Sequence, residues 1–151
     1  MSIAVAYPAP ADEEKIVRQA GVREGDTPQK VLSQEQIIQL QQIVRKMEVP
    51  DPLVKYVVSL LRASRPADKE APDFIKQYVA TGASPRAGQY LVLAAKACAL
   101  LQGRKEITSS DIQKTALPVL RHRIVFNPSA ATEQRTADAI IQKLLSTVKT
   151  P

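Results

Sequence analysis

Apolar side chains recur along most of the chain at spacings of three and four residues, the period that gathers them on one face of an α-helix. Ile37, Leu40, Val44 and Met47 form one such stripe, and Ser33 with Gln36 three residues later supplies a capping box at its start. Leu53, Val57, Leu60 and Leu61 form the next, with Asp51 as the expected cap, Pro52 in the first turn and Pro66 beyond the end. A long apolar segment follows from Pro85 to Leu101, with Tyr90, Leu91, Ala94, Ala95, Cys98 and Leu101 expected on one face and Gly103 as the stop. Its many alanines permit close approach of a neighbouring helix. Thr108, Ser109 and Ser110 ahead of Asp111 offer a cap for a helix carrying Ile112, Ala116, Val119 and Leu120, which Pro118 should kink or shorten. Thr132 is expected to cap a last helix whose stripe is Ala137, Ile140, Ile141, Leu144, Leu145 and Val148.

Other patterns are shorter. Ile3, Val5 and Tyr7 alternate with small residues and read as a brief strand stopped by Pro8 and Pro10. No convincing long partner strand follows, so this start reads as the end of a sheet lying elsewhere. Asp12 to Gln19 predicts a short helix, and Gly21 to Lys30 a polar connector with two glycines and a proline. The domain boundary falls there, leaving residues 1–30 as the end of one unit plus linker and 31–151 as a second unit. Phe74 to Ala80 fits a short helix or a strand equally, and Arg123 to Phe126 could pair as a minor strand with Gln77 to Thr81. The expected fold is all-α, a bundle of about five helices with room for a minor two-stranded element.

Composition narrows the chemistry. The 151 residues suffice for one domain with a real core, and 44% are hydrophobic while only 4% are aromatic, with no tryptophan. A core of Leu, Ile, Val and Ala favours packed helices over a sandwich. Twenty-one Lys and Arg against fifteen Asp and Glu give a net charge of +6, which suits acidic partners such as nucleotides or nucleic acid. Ser109 to Arg123 could act as the recognition helix of a basic nucleic-acid-binding module. The positive residues are spread over several helices, however, and no aromatic stacking platform interleaves with them, so nucleic acid is the weaker alternative. The single Cys98 excludes an intramolecular disulfide and reads as a small buried hydrophobe in a reducing cytoplasm. The first residues lack the pattern of a signal peptide and no apolar run reaches membrane length, so a soluble protein without a membrane partner is expected.

No phosphate loop and no glycine-rich dinucleotide fingerprint occur, and one histidine with one cysteine cannot build a metal set. His122, between Arg121 and Arg123, is better read as a helix-end side chain than as an acid/base group. Glu13, Glu14 and Asp111 read as helix-start acids, and Arg62 and Arg65 as dipole compensation at a helix end. No catalytic residue and no metal ligand is assigned.

The stretch TGASPRAGQY, Thr81 to Tyr90, is less easily explained. Ser84 stands where an N-cap belongs and Pro85 at the first helical position, so Arg86 sits in the first turn, where the dipole disfavours a cation by about 0.3–1 kcal/mol. Gly88 adds about 1 kcal/mol of helix cost relative to alanine. Two unfavourable choices together point to an incoming phosphate or carboxylate. The alternative is a solvated arginine beside a small-residue packing contact.

Val49 to Pro66 (VPDPLVKYVVSLLRASRP) and Gly82 to Ile124, beginning GASPRA, resemble the C-terminal helical lid of MoxR-type AAA+ ATPases. The resemblance extends from about Tyr7 onward, with GASPRA as its most specific element. It implies that Arg86 is the sensor 2 residue reaching the γ-phosphate of ATP, with Gly82, Ser84 and Pro85 supporting the helix start. It also implies ATP and Mg2+ as cofactors of a complete protein and none held tightly by the lid. The implied partners are an ATPase core, neighbouring subunits of a ring and a von Willebrand factor A-domain protein. Under this resemblance residues 1–30 become the end of the core plus linker. The phosphate loop, the metal-binding acid and the intersubunit arginine are absent, so the chain reads as a lid that does not hydrolyse ATP by itself. Gly88-Gln89-Tyr90 stands where relatives more often carry bulkier or aliphatic residues.

Overall fold

A computed structural model describes residues 1–19 and 29–151. Eight helices and one two-stranded antiparallel sheet make up the regular structure of these residues. An all-α bundle with a minor sheet is therefore the fold, with three short helices in addition to the five of the expected bundle, one of them the short helix predicted ahead of the connector.

The first helix, α1 (Pro10–Arg18), starts on a proline and carries exposed Asp12–Lys15 and Glu14–Arg18 ion pairs, but buries no residue. Ahead of it the expected strand does not form. Ile3, Val5 and Tyr7 are exposed, because no strand among the described residues lies beside them. The Ser2 N–H donates instead to the Pro118 carbonyl at 2.6 Å. The expected connector and domain boundary at Gly21 to Lys30 fall largely on residues 20–28, outside the described residues.

Helix α2 (Gln34–Lys46) begins with the anticipated capping box. The Gln36 N–H donates to the Ser33 hydroxyl at 3.2 Å, and the Ser33 N–H to the Gln36 side chain at 2.7 Å. Its stripe lies over a later helix with none of its residues fully buried. Helix α3 (Asp51–Ala63) buries Leu53, Tyr56, Val57, Leu60 and Leu61. Pro50 is its N-cap and Asp51 its first helical residue, so the helix starts one position earlier than expected and the carboxylate meets the positive end of the dipole without capping it.

The ambiguous stretch proves to be both elements in turn, α4 (Asp73–Tyr78) running directly into β1 (Val79–Thr81). The long α5 (Pro85–Leu101) forms as predicted, and Gly103 at φ +72° supplies the left-handed residue that ends it. Its buried line differs from the expected face. Ala87, Leu91, Ala95 and Ala99, spaced four apart, are fully buried with Gly88, whereas Tyr90 and Leu101 are 44% and 88% exposed and Cys98 is only half-buried. Small residues win the inner line because α3 and the next helix, α6 (Ser109–Leu120), both pack against it.

Helix α6 runs through Pro118 and stops two residues later. Beyond it β2 (Val125–Phe126) pairs with β1, Val79 opposite Phe126, as the sequence suggested. Two helices then stand where one was expected. Asn127 caps α7 (Pro128–Thr132), and Thr136, rather than Thr132, caps α8 (Ala137–Thr147). Gln134 at φ +54° makes the break between them. The core is formed by Leu60, Ile75, Leu91, Ile112, Leu120, Ile141 and Leu144.

One buried charge joins the α5–α6 turn. Asp111 is 1% exposed and receives both Arg104 guanidinium nitrogens, at 2.6 and 2.9 Å, together with the Thr108 N–H and hydroxyl, each at 2.8 Å. The Arg104 bonds, aided by those from Thr108 and opposed by burial, lower its pKa from the ordinary 3.8 to about 2. The unfolded state therefore takes up the proton first. The pair's contribution is complete above the unfolded value and is lost as the pH falls toward the folded one. Urea unfolding followed into acid should lose about 2 kcal/mol over that window, a loss absent from Asp111→Asn.

Candidate functional site

Four residues singled out in the sequence, Gly82, Ser84, Pro85 and Arg86, lie together at the link from β1 into α5. That link is held from below by the C-terminal end of α3. The Ala83 N–H donates to the buried Ser64 hydroxyl at 2.9 Å, and that hydroxyl donates to the Leu61 carbonyl at 2.7 Å. The Arg65 Nε donates to the Ala83 carbonyl at 3.0 Å. Both polar groups of one peptide residue are thus bonded to two consecutive side chains.

Gly82 makes this contact possible. A Cβ there would stand 2.7 Å from Arg65 Cα and closer still to the Ser64 carbonyl oxygen. Gly88 has a similar origin one turn inside α5. A Cβ there would approach Leu61 Cδ1 to 2.8 Å and Val57 Cγ1 to 3.2 Å, so this glycine lets α5 cross α3 closely. Of the two unfavourable choices in the sequence, Gly88 is accounted for by packing.

Arg86 is not. It is exposed in the first turn of α5, and among the described residues its guanidinium has neither a hydrogen-bond acceptor nor a carboxylate partner. Ser84 occupies the N-cap with extended backbone, yet its hydroxyl makes no capping bond, contrary to the role expected of it. Pro85 has no N–H to satisfy. The α5 start therefore presents an unpaired cation beside an uncapped dipole end, with no acid in the first turn. Beside it an apolar groove of about 430 Å³ runs between α3 and α5, edged by Val54, Val58, Pro85, Gln89 and Val92.

Other arginines are already engaged. Arg62 bonds Asp68 and pairs with Glu70, Arg104 holds Asp111, and Arg121 grips Asp138 at 2.6 and 2.7 Å. Each of these contacts lowers the pKa of the aspartate involved. Arg123 lies over the Tyr90 ring at 4.8 Å. His122 is exposed, its pKa lowered by partial burial and by neighbouring Arg123, and no carboxylate orients it. Among the described residues no cluster of His, Cys, Asp and Glu could hold a metal, and no helix is long and apolar enough to cross a membrane.

Ser64 and Arg65 are the residues sequence reasoning missed. Arg65 had an ordinary explanation as a helix-end cation, and a serine near a helix end carries no signal of its distant partner. Only the glycine at position 82 hinted at a close approach.

Residues 73–144, from α4 through most of α8, match the family model for the AAA lid domain. Chaperone MoxR1 of Mycobacterium tuberculosis (strain ATCC 25618 / H37Rv) is 34% identical over 149 residues, 99% of this chain and 39% of that protein. The uncharacterized protein YeaC of Bacillus subtilis (strain 168) is 33% identical over 83% of this chain and 37% of its own length. Protein MoxR of Paracoccus denitrificans is 37% identical over 71 residues, 46% of this chain and 21% of that protein. A crystal structure of a Cytophaga hutchinsonii protein proposed to be an ATPase superposes with a TM-score of 0.84 at 26% identity, covering 97% of this chain and 45% of the other. The chain spans less than half the length of each of these relatives.

Proposed function

Because this chain belongs to the MoxR family and carries its AAA lid domain, we propose that Arg86 is a sensor 2 residue by which the lid detects the γ-phosphate of ATP. The observation that carries this reading is the unpaired Arg86 guanidinium at an uncapped helix start. An anion placed there accepts charge-assisted bonds from Arg86 and removes the penalty that the dipole imposes on that cation. The donor set suits a phosphate and offers nothing to Mg2+, whose oxygen ligands would come from elsewhere in a complete protein.

In this proposal residues 31–151 form the lid, and residues 1–30 join it to an ATPase core that supplies ATP with Mg2+. ATP, when bound, supplies the phosphoryl group whose transfer depends on positioning and charge stabilisation. Arg86 contributes charge stabilisation at the γ-phosphate oxygens. Gly82, by its close approach to α3, and Pro85, at the first helical position, fix the helix start from which it projects. The apolar groove between α3 and α5 gives the core an adjoining surface to rest on. Once the γ-phosphate leaves, the penalty on Arg86 returns, so lid position becomes dependent on hydrolysis. Neighbouring ring subunits and a von Willebrand factor A-domain protein are the proposed partners, in a cytoplasmic, chaperone-like remodelling machine. The positive residues are spread over several helices with no aromatic stacking platform among them, so nucleic acid remains the weaker alternative.

Affinities for a non-hydrolysable ATP analogue and for ADP, measured on the protein that carries this lid with its core, test the reading. Arg86→Ala should lower the analogue-to-ADP affinity ratio by about tenfold, the worth of one hydrogen bond to a charged group. An unchanged ratio would remove Arg86 from the γ-phosphate.

A further inference from the structure

We infer that Ser64 and Arg65 form a clamp that positions Arg86, so that the end of α3 sets the place from which the arginine projects. This rests on the reading of Arg86 as the γ-phosphate sensor. Three independent features converge on the peptide that precedes α5. The Ser64 hydroxyl accepts a hydrogen bond from the Ala83 N–H and donates one to the Leu61 carbonyl, tying the link to the last turn of α3. The Arg65 Nε takes the Ala83 carbonyl. Gly82 lies so close to the Ser64–Arg65 backbone that no side chain fits between them.

The two arginines of this helix end have different fates. Arg62 is held by Asp68 and Glu70 in the following loop. Arg65, three residues on, makes no ion pair within 4 Å among the described residues and spends its one directed Nε bond on a backbone carbonyl. A helix-end cation that only compensated the dipole would turn to its own α3 carbonyls. Arg65 reaches across to position 83 instead, eighteen residues away. Ser64 is fully buried and satisfied, which a serine at an ordinary helix end does not require.

The consequence is mechanical. Ala83 lies three residues before Arg86, and its peptide sets the direction in which α5 starts. With both its polar groups fixed, the first turn is held against α3, and the backbone position and Cα–Cβ direction from which Arg86 reaches out are set. Ser64 and Arg65 touch no phosphate in this account. They act through Arg86.

A double-mutant cycle on ATP turnover in the protein that carries its core separates this role from a structural one. Arg65→Gln should lower kcat about tenfold with KM for ATP changed less than about twofold, and Ser64→Ala should lower it similarly. In an Arg86→Ala background neither should lower it further, because nothing remains to be positioned. Thermal melts identify any variant that fails to fold, and the other variant then completes the cycle. A full additional loss in the Arg86→Ala background, or no loss in the single variants, overturns the clamp while leaving Arg86 its role. Unchanged turnover in Arg86→Ala itself removes the sensor reading and the clamp with it.

Discussion

Gly82→Ala should cost this protein about 3 kcal/mol of stability, the upper part of the range for forcing extra atoms into a packed site. The obstacle is backbone on every side. The new Cβ would meet the Ser64 carbonyl and Arg65 Cα, and neither can turn away as the end of a side chain could. Relief requires the β1–α5 link to lift off α3, which breaks the bonds from the Ala83 N–H to Ser64 and from Arg65 to the Ala83 carbonyl. Those losses leave the Ala83 N–H and carbonyl without their partners. For a chain of this size the melting temperature should fall by about 6–12 °C.

Gly88→Ala is the internal control. Its Cβ would press on the Leu61 and Val57 methyl groups, which can shift, and alanine recovers about 1 kcal/mol of helix propensity. The net change should stay within about 1 kcal/mol. Equal effects at the two glycines would show that the link is not pinned to α3 as described.

The helices were legible wherever period and punctuation agreed. Ser33 with Gln36, Pro85 and Gly103 each marked a boundary that the structure keeps. The failures have definite causes. The alternation of Ile3, Val5 and Tyr7 encodes a strand only if a partner strand lies alongside, and none does among the described residues. Thr132 and Thr136 carry the same capping chemistry, and only the left-handed Gln134 decides which of them starts α8. Within α5, Tyr90 and Leu101 satisfied the apolar pattern but were excluded by packing against α3 and α6, which favours alanine on the inner line.

At the site, the position of Arg86 was readable because its conflict with the helix dipole is local to the sequence. The hold on that position was not. It joins Ser64 and Arg65 to Ala83 across α4 and β1, and no periodicity reports a contact between a helix end and a link so far along the chain. Gly88 stayed open between a ligand site and a packing contact for the same reason, since the neighbours that decide for packing lie on α3.

The central claim is that the lid acts on the γ-phosphate through Arg86, and ATP turnover of Arg86→Ala in the protein that carries its core tests it most directly. Loss of a guanidinium that stabilises charge developing in the transition state should lower kcat about 100-fold. The fold should remain intact or gain about 0.5 kcal/mol, because an exposed cation is removed from the positive end of α5. Turnover falling while the melting temperature holds or rises is the result this account predicts. Turnover equal to that of the unaltered protein would contradict it and leave Arg86 as a solvated cation at an awkward helix end.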